Sequence, residues 1–319
     1  MDTQPKRTWL LALLLYLVVL LYLYGSWLFP IALYSGFAHG LVRTSNKYVS
    51  GKHSRTKRVL LNFSFAALFM TTYAALSGQF KVDAMSGIVF VIGFFNAFGA
   101  YCQWKATDVS LSKTSLFTFG DDVYAMGLSY VILREGVYLN LVSGGGIALA
   151  VTSAIALAIH AYKRGESIAL YVYVGIYSVI WGFAMFSQRY FAVDAMPVGQ
   201  FVSSWYIGAV VGALVLVLFY KDSADKSQQG IHTLRFRDIV EMFFYGAGIS
   251  LSLAIAYWAY SLAPQMIVQP IFMVSEALIP FAIGWWFFKE KNTFDKKERV
   301  YALTGLFGIA LIAVGFSLR

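Results

Sequence analysis

The sequence predicts an all-α, polytopic membrane protein of about ten transmembrane helices, arranged as two inverted five-helix repeats. Three observations predict it. Of 319 residues, 59% are hydrophobic and only 13% are charged, against roughly 25% charge in a soluble domain. Apolar stretches of about 20 residues recur along the whole chain, the length a helix needs to cross a hydrocarbon core of about 30 Å. Short motifs also recur at a near-constant offset close to half the chain. Lipid leaves helices and closed barrels as the spanning structures, because backbone polar groups must be satisfied internally. The runs here are too continuous for the alternating strands of a barrel.

The spans expected in order are Trp9–Tyr34, Val59–Leu76, Met85–Trp104, Ser112–Leu133, Leu139–Tyr162, Ile168–Gln188, Pro197–Tyr220, Ile239–Ala263, Met266–Phe288 and Arg299–Leu318. The first contains Gly25 and Pro30, so it is tilted, kinked or divided into two short helices that continue to Val42, which would make eleven. Lys6 and Arg7 precede it in the manner of a signal peptide. No small-x-small cleavage site follows, so the segment reads as a retained helix. Three polar connections are expected as loops: Arg43–Arg58, Lys221–Asp238 and Lys289–Arg299.

The net charge of +9 does not point to nucleic acid. In the ten-helix reading the odd-numbered connections, with Lys113 at the edge of the fourth span, hold nineteen of the twenty-five Lys and Arg. The positive-inside rule therefore places those connections in the cytoplasm of a cell that carries the protein in its plasma (inner) membrane. The single cysteine, Cys102, excludes disulfides and multi-cysteine metal sites within the chain. The four histidines share no close spacing. No metal and no cofactor is expected.

The repeat is read from matched residues. Ala100-Tyr101 corresponds to Ala256-Tyr257, Asp121 to Glu276, and Arg134-Glu135 to Lys289-Glu290. Gly146-Ile147-Ala148-Leu149 recurs as Gly308-Ile309-Ala310-Leu311. Residues 1–165 form one repeat and 166–319 the other. Five helices is an odd number, so the second repeat is inverted in the membrane, an architecture of secondary transporters.

At these residues the chain resembles the drug/metabolite transporter superfamily, in particular its EamA-like ten-helix members. The resemblance lies in Val131-Ile132-Leu133-Arg134-Glu135 leading to Gly144-Gly145-Gly146, and in Phe287-Phe288-Lys289-Glu290 leading to Gly305-Leu306-Phe307-Gly308. It extends to Ala256–Pro264, to Val268-Gln269-Pro270 and to Trp181-Gly182. It covers the chain from about Met85 onward, and the long basic stretch Arg43–Arg58 departs from the family pattern. It implies secondary transport of a small metabolite through a central cavity between the halves.

Candidate site residues follow from where polar groups fall within apolar spans. Glu276 lies near the middle of the ninth span, where an ionisable group is costly unless it faces a cavity or a partner. Asp121 and Asp122 lie near the middle of the fourth. Adjacent helical residues point about 100° apart, so one faces the cavity and the other pairs laterally. They are not a metal-diphosphate motif, since Ala125 stands where a third Asp would be. Gln269 precedes Glu276 by two helical turns, and Pro270 and Pro280 flank the acid. Gln103 is a cavity candidate at the end of the third span, where Trp104 and Lys105 read as interface anchors. Tyr101 and Tyr257 are repeat-matched, and Tyr260 faces nearly the same way as Tyr257. Trp181 completes the set. Arg189 is expected to snorkel to the head groups. Gly208 and Gly212 read as close helix packing.

The function expected is alternating-access carriage of an amine or amino-acid-like metabolite, coupled to protons or to exchange, by a monomer or homodimer. A non-catalytic assembly or sensor protein is the alternative. A membrane enzyme finds no support, because HExxH, GxSxG, CxxC and phosphate-loop patterns are absent.

Overall fold

An apolar run becomes a helix in lipid because a helix closes its own backbone hydrogen bonds, and its ends fall where the run meets polar or glycine-containing sequence. The computed structural model describes residues 16–50, 55–135, 140–163, 168–220, 236–289 and 295–317. The described residues are all helix and connection, with no strand.

Residues 16–23 are helical (α1). Leu28–Tyr34, the π-helical Ser35–Val42 and Arg43–Ser50 then follow one another without a break and form α2. Next come α3 (Arg55–Leu76), α4 (Ala84–Val109) and α5, which is built from Leu111–Phe117 and Phe119–Ile132 on either side of Thr118. The chain continues as α6 (Leu141–Lys163), α7 (Ala169–Val193) and α8 (Val198–Phe219). It ends with α9 (Phe236–Leu262), α10 (Gln265–Trp286) and α11 (Lys296–Ser317). Eleven helices thus occur among the described residues. Six of them, α3, α4, α7, α8, α9 and α10, are long and apolar enough to cross a membrane. The chain is a membrane protein.

Two expectations need correction at the N-terminal end. The first span does not run as one helix to Tyr34. It breaks at Gly25, whose φ of +85° suits glycine and few other residues, and helix resumes at Leu28. The stretch Arg43–Arg58 is not a loop. Arg43–Ser50 extends α2, Arg55 opens α3, and only residues 51–54 between them lie outside the described residues. Four of its basic side chains, Arg43, Lys47, Arg55 and Arg58, find internal partners. Lys47 donates to the carbonyls of Thr107 and Asp108, both at 3.0 Å, and Arg55 pairs with Asp108 at 3.0 Å. Arg58, 3% exposed, pairs with Asp238 at the start of α9. Of the other two expected loops, residues 221–235 and 290–294 lie outside the described residues, as do Lys6 and Arg7.

Small residues set the closest helix approaches. A Cβ on Gly93 would collide with the carbonyl of Trp205, and a Cβ on Gly208 or Gly212 with that of Phe90 or Phe94. These contacts lock α4 against α8, as expected for Gly208 and Gly212. The backbones of α6 and α11 likewise meet at Gly146 and Gly308. The main packed core gathers around Trp104, Phe201, Trp205, Tyr206 and Met242, on α4, α8 and α9. Asp83 caps α4 by accepting from the Ser86 N–H at 2.9 Å. That bond, with a second from Gln200, holds the Asp83 carboxyl well below the usual carboxylate range.

If each helix from α2 onward crosses the membrane, the C-terminal ends of α2, α4, α6, α8 and α10 share one side with the starts of the helices that follow them, and the nineteen basic residues counted above fall at those ends and between them. A cysteine at the exposed Lys297 is then expected to react with an impermeant maleimide only in inside-out vesicles, and one at the exposed Ser77 only in intact cells. Cys102 is buried and gives little background. Labelling of both positions from the same side would refute the alternation.

Candidate functional site

The π-helical segment of α2 shapes the site. The Arg43 N–H donates to the Ala38 carbonyl five residues back, and the Ser35 and Thr44 hydroxyls donate to the carbonyls of Ile31 and Gly40. The segment packs against α10 and delivers His39, with Arg43 one residue beyond it. π-Helical turns occur mostly where function demands a locally altered register.

Opposite stands Glu276 on α10, between Pro270 and Pro280, both inside that helix. Arg43 Nη2 donates to Glu276 Oε1. His39 Nε2 lies 3.7 Å from Glu276 Oε2, and His39 Nδ1 is 2.8 Å from the Ser275 hydroxyl. Arg43 Nη1 donates to the Tyr177 hydroxyl on α7 at 3.2 Å.

α5 supplies the other two acids. Its helix breaks at Thr118, so Asp121 and Asp122 fall in the first turn of Phe119–Ile132. That position favours carboxylates, because the N-terminal N–H groups and the helix dipole face them. Asp121 Oδ1 accepts from the Asp122 N–H at 2.9 Å. Both residues are fully buried. One oxygen from each of Asp121, Asp122 and Glu276 lies within 4.8 Å of the others. The expectation that one Asp would face the cavity is corrected, because neither aspartate is among the residues lining the cavity beside Arg43; the lateral pairing expected of the other is that of Asp122 with Gln269. The Oδ2 atoms of both aspartates are buried without a hydrogen-bond partner.

A chain of polar groups leads outward from Asp122. Gln269 Nε2 donates to Asp122 Oδ1, Tyr260 donates to Gln269 Oε1, and Gln265 Nε2 donates to the same Gln269 oxygen at 3.2 Å. Ser129 joins it through Gln265. Beside the Arg43–Glu276 pair lies a cavity of about 110 Å³. Asn46, Asn62, Asn96 and Gln103 give its wall an amide character, and Trp104, Tyr177 and Trp181 give it aromatic faces. Asn46 donates to Gln103 at 3.3 Å and accepts from Tyr245.

The structure thus brings together Glu276, Asp121, Asp122, Gln269 and Tyr260, with Gln103 and Trp181 on the cavity wall. Trp181 stacks on Tyr177 with ring centroids 6.2 Å apart. Tyr101 and Tyr257 lie elsewhere. Tyr101 packs edge-on against Tyr220 at 5.2 Å, and Lys105 sits over its ring at 5.6 Å. Tyr257 stacks on Phe201 and donates to the Met196 carbonyl at 2.6 Å, so it does not share a surface with Tyr260. Trp104 is 1% exposed and lines the cavity rather than an interface. Arg189 does not snorkel. It pairs with Glu135 at 3.0 Å and donates to the Tyr260 carbonyl at 2.6 Å. His39, Arg43, Asn46, Asn62, Asn96 and Tyr177 were not expected at the site. The signal for the first three was their spacing of four and three on one helical face.

One solved crystal structure, described only as that of a protein, is similar to the chain over 92% of its length and 97% of the other chain's, with a TM-score of 0.56 and 14% identity. That likeness shows a fold already seen in a crystal. No protein-family model and no curated protein matches the sequence.

Proposed function

We propose that the protein is a secondary carrier of a small polar metabolite, of the drug/metabolite transporter type, acting in a plasma (inner) membrane by alternating access and coupled to protons or to exchange. The observation that carries this reading is a cluster of three buried carboxyls beside a cavity lined by both polar and apolar side chains. Three ionised carboxylates facing one arginine would be a net negative charge out of water, at a cost of several kcal/mol per unpaired ion. The cluster therefore holds a proton in its resting form. A proton held there, next to a cavity that alternately faces each side, is what coupling requires.

The same reading makes the site lie between two inverted repeats, α2 to α6 and α7 to α11. Helix packing supports this, because exchanging the halves carries neighbouring pairs into one another. α4 packs on α8 as α3 packs on α9, and α4 on α7 as α9 on α2. The pairs α6 with α11 and α3 with α8 map onto themselves. By the offset that carries Asp121 onto Glu276, Thr118 corresponds to Met273, which lies between Pro270 and Pro280 in α10.

The test is flux into proteoliposomes for a panel of amines, amino acids and nucleotide sugars, with and without a pH gradient. Wild-type protein should accumulate at least one class, with the gradient raising the rate. Glu276→Gln with Asp121→Asn should abolish the gradient's effect. Unchanged gradient-driven uptake in that double variant would sink the carboxyl mechanism.

A further inference from the structure

We infer that Arg43 anchors a carboxylate of the transported molecule, which takes the place now held by Glu276. The inference rests on the carrier reading and names the substrate class of that site.

Three observations carry it. The first is an unused donor. Guanidinium N–H groups lie in a fixed plane, and Nε and Nη2 share one edge that matches the two oxygens of a carboxylate. Glu276 engages Nη2, while Arg43 Nε is buried and has no partner. The internal carboxylate thus occupies half of a site shaped for a whole one. The second is the surrounding wall. Apart from Arg43, His39 and Glu276, the cavity presents amides, hydroxyls and aromatic rings, with aliphatic groups such as Val42, Ile249 and Leu253 between them, and the buried Asn62 Oδ1 lacks a donor. A guest with a carboxylate and a nearby N–H or O–H would satisfy both orphaned atoms. The third is charge. Arg43 can hold one carboxylate fully on that edge, so a guest that takes it displaces Glu276. The guest's carboxylate and Glu276 therefore compete for one guanidinium edge, and removing Glu276's charge favours the guest.

The cavity's 110 Å³ is somewhat below the roughly 150 Å³ of a cavity that takes up benzene. In this conformation it fits a short carboxylate. Propionate, propionamide and propylamine share one skeleton and make suitable probes. The measurement is thermal unfolding of the full-length protein in lipid nanodiscs over a concentration series of each, with sodium chloride as an ionic control. Propionate should raise the melting temperature, and the other three should not. Glu276→Gln removes the internal competitor and should lower the half-maximal propionate concentration by about tenfold or more, since a competing state reduces apparent affinity by its population. Arg43→Gln combined with Glu276→Gln leaves no unpaired charge at this pair and should lose the propionate response while remaining folded.

Equal stabilisation by propionamide or by chloride would overturn the inference. So would a Glu276→Gln protein that binds propionate no more tightly, or a double variant that still responds. Flux of an amine without any propionate response overturns this inference and leaves the carrier reading standing. Propionate binding without flux of any solute supports Arg43 as a carboxylate anchor but removes the carrier reading, and with it the claim that the guest is transported.

Discussion

Arg43→Gln is expected to be among the most destabilising single substitutions in the chain, costing roughly 3–5 kcal/mol of unfolding free energy, the range for stripping one partner from a buried ion pair. The loss comes less from the missing attraction than from what remains. Glu276, 2% exposed, would be left with Asp121 and Asp122 within 4.8 Å and no arginine among them. Adding Glu276→Gln should restore most of the stability, because a neutral amide can accept from the glutamine at position 43 and carries no charge to desolvate. The check is a double-mutant cycle on unfolding in detergent or nanodiscs. Additive losses in the double variant would show that the pair does not act as a unit.

Gly208→Leu should prevent the protein from reaching a folded, monodisperse state. A side chain at Gly208 meets the Phe90 backbone, and the neighbouring contacts at Gly93 and Gly212 are also glycine against carbonyl. No rotamer change relieves a clash with backbone, so α4 and α8 must separate along their whole seam. Overpacking that side chains can absorb costs about 1–3 kcal/mol, and this case exceeds it. Gly175→Leu is the matched control. It lies on an exposed face of α7 with nothing within 4 Å of an added Cβ, and should unfold as wild type. Size-exclusion profiles and melting curves of the two variants decide the matter. A well-behaved Gly208→Leu protein would mean that α4 and α8 are not held at backbone distance.

Most of the helices were legible because hydropathy in lipid is a strong signal and turn sequences interrupt it. Nine of the ten expected spans, from Val59–Leu76 onward, fall on α3 to α11 with ends shifted by a few residues. The acids of the site were legible for the same reason, since Asp121, Asp122 and Glu276 stand out in apolar surroundings. Arg43 was not, because it begins a run with six Lys and Arg by Arg58, and such a run reads as a topogenic loop. What distinguishes Arg43 from its neighbours is a partner 233 residues away, and local sequence holds no record of it. Arg189 misled for a related reason. A cation near a helix end has two ways to avoid lipid, and only the fold shows that Glu135 is within reach. The matched tyrosines Tyr101 and Tyr257 show the opposite error. Their correspondence reflects how the helices pack, against Tyr220 and Phe201 respectively, and not a shared ligand surface.

The π-helical turns of α2 make the helix's phase a discrete variable. Across Ser35–Val42 the turns hold more residues than α-helical turns do. Each residue gained or lost there turns everything beyond it by about 100° and leaves the two flanking pieces intact. An insertion or deletion in this stretch is thus a rotation rather than a disruption. It would carry Arg43, Asn46 and Lys47 to a different neighbour in one step. A lineage that varied this segment could exchange the polar face presented to the cavity without altering a single lining side chain. Relatives of this chain should therefore be aligned separately on the two sides of Ser35–Val42, since one gap placed there decides which residues face the site.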